Sequence, residues 1–280
     1  MNTGHANPPI ILSFSSLDPS GCGGIQADIE TAASLGCHCA PVITSLCSQG
    51  CTSEGETFAV ESTILIEQAR SILENMNVQA IKLGFVGSQT NTEAIHSILL
   101  DYPEIPVVAH PALYLMDDSN EEHLDLIDAF NALILPLATV SCLSLYEARE
   151  IAQESDTIDT TGHALASRGC EFSLITGTGK VTQAFQNSLY SQKGLINHYS
   201  WQQEPPTTDG AASTLSMSIA SYIAHGLDGK RAIEQAQDFT WRTLLASRDM
   251  GFDQRTPHRF FWADKNLDTA IDFEAAKNIN

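Results

Sequence analysis

Short apolar runs rich in β-branched residues recur at regular intervals: "IILSF" (10–14), "PVITSL" (41–46), "AIKLG" (80–84), "IPVVA" (105–109), "ATVSC" (138–142) and "FSLIT" (172–176). Between them lie "GIQADIETAASLG", "STILIEQARSILENM", "TEAIHSILLDY", "EEHLDLIDAFNALI" and "LYEAREIAQES", whose apolar residues repeat at helical spacing. Strands separated by helices predict a parallel sheet with helices on both faces. After residue 180 the period changes. "KVTQAFQNSLYSQKGLINHYSW" alternates apolar and polar positions on either side of "SQKG", which predicts a hairpin added at the sheet edge. Two long helices should follow, one from about residue 210 and one over about 229–247, and the aromatics of "GFDQRTPHRFFWADKN" could pack back on the body. No Pro/Ser-rich linker or internal repeat divides the chain, so one domain over 1–280 is expected, with 1–9 and 265–280 as loosely ordered tails. The acidic run in "LYLMDDSNEEH" (113–123) reads as a solvated loop that could move.

Composition narrows the function. A length of 280 residues with 43% hydrophobic content is ample for a packed α/β core. The formal net charge of -20 argues against nucleic acid, because duplex binding depends on Lys and Arg neutralising phosphates. The chain does not open with a charged segment leading into an apolar one, and no apolar run reaches the roughly 18 residues of a membrane span, so a cytoplasmic protein is expected. Seven cysteines at irregular spacings, with no pair at zinc spacing, predict reduced and mostly buried thiols.

Two turns carry candidate chemistry. "SSLDPSGCGGIQAD" (15–28) joins the first strand to the first helix, at the carboxyl end of the sheet where α/β folds place ligands. Its Asp18-Pro19 favours a turn, and its glycines let a ligand approach the main chain. It is neither a dinucleotide fingerprint nor a P-loop. "TTDGAASTLS" (207–216) opens the helix that continues through "MSIASYIAHG". The unpaired N–H groups and positive dipole end of such a helix can hold a phosphate with no basic side chain. His38, His163 and His225 lack an acidic or serine partner at a recognisable spacing, and Ser213 lacks the G-x-S-x-G context of a hydrolase nucleophile.

"DPSGCGGIQADIETAASLGCHCAPVITSLCSQ" resembles the N-terminal signature of the hydroxymethylpyrimidine and phosphomethylpyrimidine kinases of thiamine biosynthesis, in the ribokinase-like superfamily. "AIKLGFVGS" resembles their K-x-G-M segment, "LPLATV" their strand lead-in, and "TTDGAASTLSMSIASYIAHG" their late anion-hole turn and helix. The likeness spans roughly residues 10–248. It implies a three-layer αβα sandwich around a mostly parallel sheet, a homodimer, and transfer of the γ-phosphoryl group of Mg-ATP. The acceptor it implies is 4-amino-5-hydroxymethyl-2-methylpyrimidine or its monophosphate. The positions it carries over on the pyrimidine side are Ser16, Gly23, Asp28, Gln49 and Phe85. A carboxylate and a carboxamide suit an aminopyrimidine edge. Read without the resemblance, Asp28 is a solvated helix carboxylate and Gln49 an ordinary strand-end residue.

The phosphate side departs from the family. The late family turn is G-[TS]-G-C, whose Cys takes the acceptor proton; here it is Gly210, Ala211, Ala212 and Ser213. A serine hydroxyl is far harder to ionise than a thiol, and Ala212 would resist a positive φ. The acidic residue of the family's V-x-D-P is His110, whose neutral ring suits Mg²⁺ poorly. The family's N-x-x-E becomes Ser144 to Glu147, so Glu147 would support the metal's water shell, with Ser144 and Thr176 on the nucleotide side. Read alone, Glu147 is a first-turn helix acid. Asp209 is either a displaced base or a helix cap. Two readings follow: a kinase slowed by these changes, or a pyrimidine-binding paralogue that has lost phosphoryl transfer.

Overall fold

The computed structural model describes residues 7–48, 56–115, 121–154, 156–181, 184–201, 205–251 and 254–264. Its strands are β1 (Ile10–Leu17), β2 (His38–Cys47), β3 (Thr57–Ala59), β4 (Val78–Leu83), β5 (Val107–Ala109), β6 (Val140–Ser144), β7 (Phe172–Val181), β8 (Ala184–Ser191) and β9 (Gly194–Trp201). They form one sheet in the order β3-β2-β1-β4-β5-β6-β7-β8-β9. Pairing is parallel from β2 through β7. It is antiparallel for β3 on β2 and for β8 and β9, the edge hairpin that the sequence predicts.

Helices cover both faces. They are α1 (Gly24–Ser34), α2 (Ser62–Asn75), α3 (Gln89–Asp101), α4 (Glu121–Ala129), α5 (Leu145–Ala152), α6 (Ile158–Ala166), α7 (Ala211–Ala224) and α8 (Gly229–Leu245). Successive strand residues point to opposite faces. Leu12, Phe14, Ile81 and Leu83 therefore pack with apolar residues of α2 to α6, and Ile11, Ala80 and Val108 with those of α1, α7 and α8. Strands buried on both faces need the near-continuous apolar runs that the sequence supplies. This is the three-layer αβα sandwich that the resemblance implies.

α7 reaches the centre of the molecule despite its hydroxyls. Thr214, Ser216, Ser218 and Ser221 are buried, and each donates its hydroxyl to the carbonyl four residues earlier. The side chains satisfy themselves locally and stay small, so the helix packs close to α1 and β4.

Some details differ from expectation. The run at 113–123 is not a loop throughout. Leu113–Leu115 forms a buried-edged 3-10 turn and α4 begins at Glu121, while 116–120 lie outside the described residues. The tails at 1–6 and 265–280 also lie outside them. The aromatics near the end do pack back: Phe261 meets Phe239 with ring centroids 5.8 Å apart, and Trp262 donates its Nε1–H to Ser34 Oγ at 2.8 Å. Before them, β10 (Arg248–Gly251) and β11 (Gln254–Thr256) form a small hairpin that the alternation does not reveal. Cys22, Cys37, Cys39, Cys142 and Cys170 are free and buried, Cys47 is buried, and Cys51 lies outside the described residues. No helix among the described residues is long and apolar enough to cross a membrane.

Candidate functional site

The first turn is stapled by its own aspartate. Asp18 Oδ1 accepts from Ser20 N and Oγ at 2.8 and 2.7 Å, and Oδ2 accepts from Gly23 N at 2.8 Å. This carboxylate does the work of an Asx turn and sets the entry angle of α1. At Gly24 the main chain has φ +56°, and a Cβ would lie 2.4 Å from Ser16 O, so glycine is required there.

The second turn faces the first. Gly210, at φ +81°, is the N-cap of α7 and makes no side-chain cap bond. Ala211, Ala212 and Ser213 supply the first-turn N–H groups, which a helix leaves without internal partners. All three are helical, and the positive-φ residues other than glycine are Ala112 and Gln153, so the feared strain at Ala212 does not arise. Asp209 does not cap this helix either. Its carboxyl is pushed above its ordinary value, first by burial and then by the Asp18 carboxylate. Both acids line a cavity of about 200 Å³ between the turns, with Gly23, Tyr114, Gly210 and Ala211.

A second cavity, of about 300 Å³, lies on the far side of the α7 N-terminus. The two share Thr208, Ala211 and Ala212. The walls of the second are apolar, with Trp201 and Trp241 stacked at a centroid distance of 5.2 Å and an interplanar angle of 22°. Trp241 Nε1, Thr240 Oγ1 and Thr208 Oγ1 are buried there without a hydrogen-bond partner among the described residues. Thr176 lines this cavity and donates its hydroxyl to Leu143 O at 3.3 Å.

The remaining residues singled out in the sequence sit deeper. Ser16, Asp28 and Phe85 are buried, and neither cavity is lined by them. Asp28 is not a solvated acid: Oδ2 accepts from Ser13 Oγ at 2.7 Å and from Lys82 Nζ at 2.9 Å, a pair with both side chains fully buried. Asp28 Oδ1 is buried without a partner among the described residues. Gln49 lies outside the described residues. The Asp28–Lys82 pair escaped sequence reasoning, although a lysine inside the apolar run of β4 is a signal, since a buried cation needs a counter-charge.

Glu147 is engaged within its own helix start. It is buried, Oε1 accepts from Leu113 N at 3.0 Å, and Oε2 accepts from Ser144 N and Ser144 Oγ, both at 2.8 Å. Ser144 Oγ in turn accepts from Glu147 N at 3.2 Å. Ser144 and Glu147 are thus the capping box of α5 and line neither cavity. Glu147 is therefore placed as a helix cap, buried away from the cavity between the turns. Its grip on Leu113 N also fixes the turn after Ala112, held at φ +51°. His110 sits behind this turn with Nδ1 3.2 Å from Cys142 O and Nε2 buried without a partner. Burial, opposed by the nearby Glu147 carboxylate, pulls its pKa below the ordinary value, so the ring is neutral. Among the described residues there is no group of three or more His, Cys, Asp or Glu that could hold a metal.

Comparison with known proteins fits this geometry. The sequence model described as phosphomethylpyrimidine kinase matches residues 18–258. The chain is 25% identical over 251 residues to the hydroxymethylpyrimidine/phosphomethylpyrimidine kinase of Mycobacterium tuberculosis, covering 87% of this chain and 91% of that one. It is 26% identical over 264 residues to the enzyme of the same name from Rhizobium meliloti, covering 91% and 99%. Among solved structures it is similar to an ADP complex of Bacillus subtilis pyridoxal kinase, with a TM-score of 0.83, 21% identity, and coverage of 92% of this chain and 100% of that one. It is also similar to the phosphomethylpyrimidine kinase of Clostridium difficile, with a TM-score of 0.68, 23% identity, and coverage of 83% and 97%.

Proposed function

Because the chain belongs to the phosphomethylpyrimidine kinase family, we propose that it transfers the γ-phosphoryl group of ATP to 4-amino-5-hydroxymethyl-2-methylpyrimidine or its monophosphate, in thiamine diphosphate biosynthesis. The observation that carries the reading is the pair of cavities meeting at the uncapped N-terminus of α7. The apolar cavity with its Trp pair suits a nucleobase. The phosphates would then pass Ala211 and Ala212 and end between the two glycine turns, where the N–H groups of Ala211, Ala212 and Ser213 face an oxyanion.

The acceptor oxygen forms a bond to the γ-phosphorus as the bond to the ADP oxygen breaks, and the hydroxyl proton leaves to solvent or a weak base. Such transfers pass through a loose transition state, where alignment and charge stabilisation outweigh deprotonation. Asp209, rather than Glu147 or the turn-bound Asp18, is the hard oxygen donor that this site would offer to magnesium carried in on the phosphates, where the ion would neutralise charge. On the pyrimidine side, Gly23 gives close main-chain access, while Ser16, Asp28 and Phe85 are buried outside both cavities and would meet the ring only once the turn opens. The partnerless Oδ1 of Asp28 would accept from an exocyclic amine once the turn opens to admit one.

The test is a coupled ADP assay with the pyrimidine alcohol, its monophosphate and pyridoxal as parallel acceptors. ADP release above the acceptor-free background with either pyrimidine is the expected result. Calorimetric binding of the pyrimidine without ADP release would favour the silent paralogue, and no binding would remove the premise of both.

A homodimer is part of the same reading. Leu17, Leu46 and Phe58 stand side by side in register across β1, β2 and β3. They are 38%, 44% and 55% exposed, an apolar stripe at the sheet edge that a second copy would cover. Phe58→Glu should shift the mass measured by light scattering from twice the chain mass to the chain mass, and a parent chain already monomeric at micromolar concentration would contradict this.

A further inference from the structure

Arg259, the largest fully buried side chain among the described residues, is 2% exposed; it lines neither of the two cavities above but borders a third, of about 650 Å³, on the outer side of the first turn with Cys22 and Glu30. Each arm of its guanidinium holds a different element. Nη2 donates to Cys22 O of the first turn at 2.5 Å, Nε donates to Thr214 Oγ1 in the first turn of α7 at 3.0 Å, and Nη1 donates to Glu30 Oε2 on α1 at 2.9 Å. Thr214 Oγ1 in turn donates to Gly210 O at 2.8 Å, which extends the link to the second turn. The arginine is itself pinned, because Arg259 O accepts from Ser34 Oγ at 2.6 Å. A guanidinium is the side chain suited to this, since its planar fork offers fixed donors in several directions, whereas an ammonium is a single point.

A cation this deep is expensive to desolvate, and one partly exposed carboxylate is a modest return. Two of its three partners are neutral groups on the facing turns. They are also the groups whose separation sets the width of the cavity between Gly23 and Gly210. We propose that Arg259 is a positioning residue for phosphoryl transfer: it fixes the distance between the pyrimidine-side turn and the phosphate-side helix without touching either ligand. This rests on the kinase reading above, and it assigns a role to the segment that follows α8.

The experiment compares Arg259→Lys with Ser34→Ala. Lysine keeps the charge for Glu30 but cannot reach Cys22 O and Thr214 Oγ1 together. A misplacement of about 1 Å between reacting groups can lower turnover by ~10²-fold. Arg259→Lys should therefore lower kcat by about that factor while both KM values stay within about threefold of the parent's. Ser34→Ala, which loosens only the anchor of the segment, should lower the thermal midpoint and leave kcat within about threefold. A purely structural Arg259 would give the opposite: kcat retained in the lysine variant, or kcat falling only in step with the folded fraction, and either result overturns the proposal. A second readout separates this from failure of the kinase reading. If the parent binds both ligands but forms no ADP, the non-hydrolysable ATP analogue AMP-PNP should still bind more tightly with pyrimidine present, and Arg259→Lys should abolish that coupling. Coupling that survives in the variant overturns the proposal, and so does a parent chain that binds neither ligand.

Discussion

A Ser213→Cys variant is expected to turn over about 100-fold faster than the parent, the lower end of what general-base assistance contributes. Ser213 is the third residue of α7, 4% exposed, and sits where the dipole and free N–H groups favour negative charge. A thiol there should ionise below its ordinary value near ~8.5, whereas a serine hydroxyl stays protonated throughout the accessible range. The gain should appear in kcat, since either side chain leaves the surrounding amides in place. It should also grow as pH rises through the new thiol's pKa, because only the thiolate accepts the proton. Alkylation by iodoacetamide offers a second check. Burial pushes the native thiols of Cys37 and Cys142 up to about 11 and about 12, and raises Cys39 as well, so these react slowly, and alkylation in the variant beyond the parent's level reports the thiolate at 213. An unchanged rate in the presence of rapid alkylation would mean that the proton leaves without a base, with transfer limited by alignment alone.

How much of this could be read from the chain depended on the range of the interaction. The alternation of strands and helices was legible because each apolar run in β1, β4 or β7 is buried by neighbours on both faces, so periodicity reports burial directly. β3 was not, since three residues at an edge, Thr57 to Ala59, carry no period. α6 was also missed: "IDTTGHALA" has few apolar positions, and its evidence is the Thr157–Thr160 capping box. In the site, both glycine turns were visible because their chemistry is local. Ser144 to Glu147 was visible too, and its S-x-x-E spacing signals a capping box, the role the structure gives it. Asp28 with Lys82 and Arg259 with Cys22 are pairings between distant segments, and no local pattern announces them. The resemblance pointed to Asp28 for its place in a motif, but the pair that holds it there had to come from the fold.

The contact between the turns can be tested at one atom, and the largest loss is expected from Gly210→Ala. The change has two unfavourable parts. Gly210 has φ +81°, which an alanine adopts at a cost of about 1–2 kcal/mol. Its Cβ would also lie 1.8 Å from Cys22 O and 2.8 Å from Arg259 Nη2. The first obstacle is main chain in the stapled turn, so relief requires the two turns to separate. Gly36→Ala isolates the first part, since Gly36 has φ +74° with nothing within 4 Å of its Cβ position. Gly36→Ala should therefore lose about 1–2 kcal/mol in urea unfolding, and Gly210→Ala more than about 4 kcal/mol, a large fraction of the 5–15 kcal/mol typical of a domain. Any Gly210→Ala protein that still folds should have kcat lowered by at least ~10²-fold, since the helix N-terminus would be displaced from the acceptor. Equal losses in the two variants would mean that the turns do not touch in solution. The shared cavity, the arginine clamp and the path proposed for the phosphates would then all lose their footing.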